Sequence, residues 1–213
     1  MNELTDIANK CNSDRGTIEG AQHNYTEVYY DLFLHSRQEV LEFFEIGIER
    51  GKGMRMWNEF FPNTNFYAID IKDVSISLPR LKCFRSNQEN RVDLQNTMDQ
   101  IGKQFDIIID DGGHHMSHQQ VSLGFLFPFL KPGGLYFIED LHTSNFEPGE
   151  ECYGPMDIDE DRSNTTLNVI KNFMSKKIFD SKYALPVELE YLNSHIKSCE
   201  FFSNEKLCLI RKK

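Results

Sequence analysis

The fold class is decided by the stretch Phe105-Asp106-Ile107-Ile108-Ile109-Asp110-Asp111-Gly112-Gly113-His114-His115. Its apolar run at 107–109 predicts a β-strand buried on both faces, because short branched runs between turn signals suit a sheet covered by helices. A second apolar run, 135–138, is also followed by acids and a histidine, in the order Glu139-Asp140-Leu141-His142. Ligands of open parallel α/β sheets bind beyond the carboxyl ends of the strands. The two stretches therefore predict one crevice that is lined by carboxylates and imidazoles.

The rest of the chain alternates predicted strands with predicted helices. Strands are expected at 40–46, 66–71, 81–86, 105–110 and 135–139, and helices at 24–36, 54–61, 92–101, 119–130 and 165–178. The end of the chain, 196–211, is expected to form an antiparallel hairpin around a short polar turn. This order predicts an α/β fold with a doubly wound, mostly parallel seven-stranded sheet that ends in a C-terminal antiparallel hairpin.

The length of 213 residues fits one domain. Residues 1–37 are expected to form an N-terminal helical cap on that domain. Residues 143–164 break the alternation and are rich in proline, glycine and acidic residues. A long irregular segment within a compact domain is commonly functional, so this segment is predicted to be a lid loop. A plain solvated loop is the alternative.

Composition and charge exclude several classes of partner. The formal net charge of -10 argues against binding to nucleic-acid backbones and to anionic membrane surfaces. We find no stretch that is long and apolar enough to span a bilayer, and no signal-peptide pattern at the N-terminus. The five cysteines are odd in number and scattered, which predicts reduced thiols in a cytoplasmic protein.

A glycine-rich turn follows the first predicted strand. Gly47, Gly51 and Gly53 allow a ligand to approach the backbone at the start of a helix, although their spacing fits neither the dinucleotide nor the Walker pattern. Asp70 ends the second predicted strand, 23 residues after Gly47. An acid at this position can accept both hydroxyls of a ribose. A role as a helix cap or turn residue is the alternative for Asp70.

Several motifs together resemble the class I S-adenosylmethionine-dependent methyltransferases, namely Glu45-x-Gly47, Asp70 and Lys131-Pro132-Gly133-Gly134. From about residue 14 to 145 the chain also resembles the sugar O-methyltransferases of the macrocin and mycinamicin type, whose relatives are the cephalosporin-hydroxylase-like proteins. The motifs that carry this resemblance include Asp14-Arg15-Gly16-Thr17, His23-Asn24-Tyr25-Thr26, Ile109-Asp110-Asp111-Gly112-Gly113-His114 and Ile138-Glu139-Asp140-Leu141-His142-Thr143-Ser144.

The resemblance implies two cofactors, S-adenosylmethionine and Mg²⁺. It implies that Asp111, Glu139 and Asp140 hold the metal and that His114 is the general base. A divalent cation lowers the pKa of an acceptor hydroxyl and orients it, and an imidazole is suited to take the proton at neutral pH. His142 and His115 are assigned to substrate contact.

The resemblance also assigns a cofactor side to the crevice. It implies that Glu45 and Gly47 face the methionine part, Asp70 the ribose and Gln88 the adenine. The segment that ends in Thr17 is expected to close over the cofactor, and Gly53 and Asp110 are placed on the same side. For Asp110, a contact to helix caps or backbone amides is the alternative. The chain departs from the family pattern in three positions: Gly53, Asn87 and Gly113.

The sequence thus predicts Mg²⁺-dependent methyl transfer from S-adenosylmethionine to a hydroxyl of a sugar, in a nucleotide sugar, a glycan or a glycoside. One alternative is a catechol-type O-methyltransferase that acts on a small vicinal diol, since vicinal phenols chelate the same metal. Another is a non-catalytic S-adenosylmethionine-binding module, which would have lost the base or a ligand. The expected partner is a small molecule, without nucleic acid or membrane, and a homo-oligomer is left open.

Overall fold

The computed structural model describes residues 1–18 and 23–213, so that residues 19–22 of the predicted cap lie outside the described residues. The described strands are β1 Glu42–Ile46, β2 Asn65–Asp70, β3 Leu81–Arg85, β4 Phe105–Asp110, β5 Leu130–Ile138, β6 Ile196–Phe202 and β7 Leu207–Lys212. They form one sheet in the order β3-β2-β1-β4-β5-β7-β6. Strands β1 to β5 are parallel, and β7 is antiparallel to both of its neighbours. The predicted seven-stranded sheet with its C-terminal hairpin is confirmed.

The described helices are α1 Glu3–Lys10, α2 Thr26–Phe33, α3 Lys52–Phe60, α4 Arg91–Ile101, α5 Met116–Leu126, α6 Thr166–Lys176 and α7 Pro186–His195. Helix α4 ends at Gly102, whose left-handed conformation matches its predicted role as a C-cap. Helix α7 is absent from the sequence prediction, although Pro186 at its first position is a known start signal. None of the helices in the described ranges is long and apolar enough to cross a membrane.

The predicted helix over 119–130 begins too late, whereas its last turn is broken at Pro128, as the sequence implies. Helix α5 begins at Met116 because the carboxylate of Asp157 accepts the amides of Met116 and Ser117, each at 2.8 Å. It ends at Leu126, and a 3-10 turn follows at Phe127–Phe129, because Pro128 has no amide hydrogen to continue the helix. Strand β5 begins at Leu130, five residues before the predicted start at 135.

Neighbouring side chains of the central strands pack on opposite faces of the sheet, as the period of two requires. Phe44 and Ile108 belong to a core cluster beneath α4 to α7, whereas Phe43 and Ile107 belong to a cluster beneath α1 to α3. Leu4, Tyr25 and Tyr29 from the N-terminal region are fully buried in the second cluster. The N-terminal region is therefore packed onto the same face as α3.

The segment predicted as a lid begins within a 3-10 turn at Leu141–Asn145 and contains an isolated bridge between Glu151 and Pro155. Met156 and Ile158 are buried against Met116 and anchor its second half. Its longest run without a buried residue is the middle, 145–155. All five cysteines lie in the described ranges and are unpaired, in agreement with the sequence prediction.

Candidate active site

The topology brings the carboxyl ends of the parallel strands to one edge of the sheet. Asp70 is the last residue of β2, and Asp111 and Glu139 directly follow β4 and β5. The backbone amide of Asp111 donates to the carbonyl of Ile46 at 3.0 Å, and that of Glu139 donates to the carbonyl of Asp110 at 2.9 Å. These bonds extend the sheet by one residue and hold the acids at a common edge.

Within the described residues, one group of acids and histidines is arranged to hold a metal ion: Asp111, His114 and Asp140. Each offers one ligand atom, and these atoms lie within 4.8 Å of one another. His114 and Asp140 both have left-handed backbone conformations, with φ of 57° and 55°. Such conformations cost about 1–3 kcal/mol each in non-glycine residues and are common at ligand sites.

His114 is the buried histidine of this group. Its Nε2 atom lies 3.7 Å from Oδ2 of Asp140, and its Nδ1 atom is buried without a hydrogen-bond partner in the described part of the chain. Burial lowers the pKa of the His114 imidazole, and the charge of Asp140 opposes this effect only in part. The ring is therefore neutral at pH 7, which is the form that accepts a proton.

Arg15 lies at the centre of the acidic crevice and is only 2% exposed. Its Nε donates to both carboxylate oxygens of Glu139, at 2.8 and 2.9 Å. Its Nη2 donates to Oε1 of Glu45 at 2.9 Å and to Oδ2 of Asp111 at 2.7 Å. Tyr29 donates a further bond of 2.6 Å to Oε1 of Glu139. Glu139, predicted as a metal ligand, is thus held by Arg15 and Tyr29 in this structure.

The N-terminal region contributes further polar groups that the sequence analysis did not assign. The hydroxyl of Tyr25 donates to Oδ1 of Asp140 at 2.7 Å, and Nδ1 of His23 lies 3.5 Å from the same oxygen. Arg15, His23 and Tyr25 all occur in motifs that carry the family resemblance, which was the available signal. Spacing along the chain gives no indication of these contacts, because Tyr25 and Asp140 are 115 positions apart.

Asp70 is engaged with the glycine-rich turn. Its Oδ2 accepts the amides of Ile48 and Glu49 at 2.9 and 3.0 Å, and its Oδ1 accepts the amide of Lys72 at 2.9 Å. This is the turn role that the sequence left as an alternative. A carboxylate has about four acceptor positions, so a further donor can still bind. Gly47 has a φ of 91°, and a Cβ there would overlap the backbone of Asp111.

The other residues of the predicted cofactor side have protein partners. Nε2 of Gln88 donates to Oδ1 of Asp110 at 3.1 Å, and Oε1 of Gln88 accepts the amide of Gly113 at 2.8 Å. Asp110 also accepts from the Ser122 hydroxyl, and it accepts the backbone amide of Gly112 at 3.3 Å, which is the kind of contact named as its alternative. The amide of Thr17 donates to Oδ1 of Asn9 in α1 at 2.9 Å.

Gly53 makes room for Arg15. A Cβ at Gly53 would overlap Nη1 of Arg15 and lie 3.2 Å from Oε1 of Glu45. The absence of a side chain at the start of α3 therefore allows the guanidinium to reach the crevice.

The two histidines assigned to substrate contact lie in different places. Nδ1 of His142 is 3.8 Å from Oδ1 of Asp140, and about a third of this side chain is exposed, so His142 lines the crevice. His115 donates from Nε2 to the carbonyl of Cys152 at 2.7 Å and stacks on His118 with ring centroids 4.7 Å apart. His115 therefore binds the segment at 143–164 through the backbone of Cys152.

The electrostatic balance of the crevice fits a cationic ligand. Four carboxylates converge there, from Glu45, Asp111, Glu139 and Asp140, and Arg15 is the guanidinium that contacts three of them. Carboxylates this close repel one another unless positive charge lies between them. Oε2 of Glu45 is buried and has no hydrogen-bond partner in the described ranges. The residues present thus suit a divalent cation near Asp111 and Asp140, and an ammonium group near Glu45.

No family model matches the sequence. Among curated proteins, the chain is 37% identical over 164 residues to demethylmacrocin O-methyltransferase of Streptomyces fradiae, covering 73% of this chain and 40% of that protein. It is 34% identical over 163 residues to mycinamicin VI 2''-O-methyltransferase of Micromonospora griseorubida, covering 73% and 40%. It is 32% identical over 179 residues to 8-demethyl-8-alpha-L-rhamnosyl tetracenomycin-C 2'-O-methyltransferase of Streptomyces olivaceus, covering 80% and 44%. The chain spans less than half the length of these curated relatives.

Among solved structures, the chain is similar to the MycE methyltransferase from the mycinamycin biosynthetic pathway in complex with Mg, SAH and mycinamycin VI. The TM-score is 0.79 at 25% identity, and the match covers 99% of this chain and 54% of that one. A second structure of MycE, with Mg and SAH, gives a TM-score of 0.80. In sequence and in fold, the chain is therefore similar to the sugar O-methyltransferases of macrolide and tetracenomycin pathways, and it has a MycE-like methyltransferase fold.

Proposed function

We propose that this protein transfers a methyl group from S-adenosylmethionine to a hydroxyl of a sugar and requires Mg²⁺ for this reaction. The observation that carries the proposal is the convergence of Asp111, His114 and Asp140 at the carboxyl edge of a methyltransferase sheet. The relationship to sugar O-methyltransferases supports the choice of acceptor.

Asp111 and Asp140 are the proposed metal ligands, since Mg²⁺ prefers carboxylate oxygens. When bound, Mg²⁺ supplies positive charge that acidifies and orients an acceptor hydroxyl. Glu139, the third carboxylate of the predicted set, joins them only if its ion pair with Arg15 opens. While that pair is closed, Glu139 holds Arg15 against Asp111 and so fixes the position of the Asp111 carboxylate.

His114 is the proposed general base. Its Nε2 atom shares the crevice with the two aspartates and takes the proton that leaves the acceptor hydroxyl. Asp140 stabilises the imidazolium that results, because its carboxylate lies 3.7 Å from Nε2. The displacement itself is a single in-line step, in which the acceptor oxygen bonds to the methyl carbon as the bond from that carbon to sulfur breaks. His142 is the proposed acceptor contact at the rim of the crevice.

The proposed cofactor side follows the carboxyl ends of β1 and β2. Oε2 of Glu45 is the proposed acceptor for the ammonium of the methionine part, beside the backbone of Gly47, and Gly53 leaves the space that Arg15 fills next to it. Asp70 retains acceptor capacity for ribose hydroxyls, and Asp110 orients Gln88 toward the adenine side. Thr17 continues the segment that supplies Arg15. The unpaired thiols favour a reducing compartment, and we propose the cytoplasm.

The test is methyl transfer from labelled S-adenosylmethionine to a panel of free sugars, nucleotide sugars, rhamnosides and catechol, with Mg²⁺ and with a chelator. We expect label on at least one saccharide with Mg²⁺, and loss of the label on chelation. Asp111→Asn provides a matched inactive control. Transfer to catechol alone would favour a catechol-type enzyme, and full transfer in chelator would exclude the proposed metal role.

A further inference from the structure

Tyr153 combines two unusual properties. Its side chain is 86% exposed, and its backbone has a φ of 56°, in the left-handed region. A bulky side chain disfavours this conformation, and such residues persist where the surrounding structure imposes them, often at ligand-binding positions. An exposed aromatic ring contributes nothing to the core, so the ring of Tyr153 is free to contact a ligand.

A tight turn holds Tyr153 in place. Glu151 and Pro155 form an antiparallel bridge around it, and the amide of Cys152 donates to the carbonyl of Gly154 at 2.8 Å. The carbonyl of Cys152 accepts from Nε2 of His115 at 2.7 Å, which ties the turn to the start of α5. The next residues are anchored by the buried side chain of Met156. The ring is therefore presented by a hydrogen-bonded turn.

The turn presents the ring at the mouth of the crevice. The ring centroids of Tyr153 and His114 are 6.3 Å apart, with an angle of 44° between the planes. The pKa of the Tyr153 phenol is raised by partial burial, by Cys152 and by Glu49, and to a lesser extent by the charges of Asp111 and Asp140, which agrees with this proximity. Tyr153 thus borders the proposed base and metal ligands without a hydrogen bond to them.

We propose that Tyr153 is the stacking platform for the acceptor sugar. A pyranose has an apolar C–H face and a rim of hydroxyls, and an aromatic ring buries large area on such an apolar face. With that face on Tyr153, a hydroxyl on the rim is directed to His114, Asp111 and Asp140. This inference rests on the proposed function and assigns a specificity-determining residue to its acceptor side.

The experiment compares Tyr153→Ala, Tyr153→Gly and Tyr153→Phe, with Val187→Ala on the exposed face of α7 as the surface control. The acceptor is the saccharide that the wild type methylates best. For Tyr153→Ala we expect KM for this saccharide to rise about tenfold, the loss of one aromatic stacking contact. Tyr153→Phe and Val187→Ala should keep the wild-type KM. Affinity for S-adenosylhomocysteine, measured by calorimetry, should be unchanged in all variants.

Tyr153→Gly separates a binding role from a structural one. Glycine adopts positive φ without strain, so this variant should have a higher Tm than Tyr153→Ala while it shows the same rise in KM. An unchanged KM in Tyr153→Ala, or an equal loss of S-adenosylhomocysteine affinity, would overturn the platform while leaving the proposed function intact. A wild type that methylates no saccharide would overturn the proposed function and the platform together.

Discussion

Arg15 and Glu139 form a buried ion pair across 124 positions of the chain, in which Nε of Arg15 donates to both carboxylate oxygens at 2.8 and 2.9 Å. The same guanidinium contacts Glu45 in β1 and Asp111 after β4. One side chain from the N-terminal region therefore connects the proposed cofactor side with the proposed metal side. The region predicted as a cap is part of the site.

Removal of this guanidinium should destabilise the fold. Arg15→Met removes the counter-charge of the buried Glu45 and Glu139, which typically costs about 3–5 kcal/mol. Urea denaturation at pH 7 measures the free energy of unfolding. The exposed pair of Lys10 and Glu59 provides a control, because Lys10→Met should leave the midpoint unchanged. Equal midpoints for Arg15→Met and the wild type would contradict the structural role.

Substitutions of the three carboxylates should differ in their effect on the affinity for Mg²⁺. Asp111→Asn and Asp140→Asn are expected to abolish measurable binding of Mg²⁺ in calorimetric titrations, because each removes a charged ligand atom from the group. Glu139→Gln should weaken binding by only about tenfold, the effect of a supporting residue, because Arg15 and Tyr29 hold Glu139. Losses of equal size in all three variants would instead make Glu139 a direct ligand.

The two crevice histidines should differ in kinetics. His114→Ala should reduce turnover by about 100-fold or more while cofactor and metal still bind, whereas His142→Ala should mainly raise KM for the acceptor. Because burial lowers the pKa of His114, its neutral form persists below the ordinary histidine range, and the acidic limb of the wild-type pH–rate profile should lie below about pH 6.5. Near-normal turnover in His114→Ala, with collapse in His142→Ala, would reverse the assignment.

Asp157 should contribute a pH-dependent increment of stability. Its burial opposes ionisation, but the amides of Ser117 and Met116 outweigh this and hold the pKa of Asp157 below its ordinary value. The ionised form is thus favoured in the folded state, so the contribution is complete above the unfolded pKa of about 3.9 and is lost as pH falls through the lower folded value. Asp157→Ala should cost about 1 kcal/mol at pH 7, and this difference should shrink below pH 4. Urea denaturation at both pH values is the measurement.

Within the segment at 143–164, only the middle should unfold locally and become accessible to a protease. Thr143 and Ser144 are buried at one end, and Met156 and Ile158 at the other, so we expect limited proteolysis to cut within 147–155. Ordering of this stretch by S-adenosylhomocysteine, Mg²⁺ and a sugar acceptor should slow the cleavage. Cleavage at an equal rate with and without these ligands would favour a plain solvated loop.

The local pattern of the sequence determined the sheet and its active edge. The apolar runs at 107–109 and 135–138 are long enough for buried strands and too short for helices, and parallel strands must end at a common edge. Asp111 and Asp140 could therefore be placed together from the sequence, because the topology of a doubly wound sheet leaves few alternatives. The hairpin at the end of the chain followed from similar local signals.

Contacts between residues that are distant in the chain decided where α5 begins and which partners the acids of the crevice bind. The start of α5 depends on Asp157, 41 positions after Met116, and the position of Glu139 depends on Arg15, 124 positions before it. Neither contact leaves a periodic signal, because each arises only after helices and loops pack on the sheet. Asp70 shows the same limit, since only the folded turn reveals that its oxygens accept three backbone amides. The sequence by itself determined which residues reach the crevice edge from the strands, and the tertiary structure decided which partners they bind there, since pairing in a buried crevice depends on packing rather than on spacing.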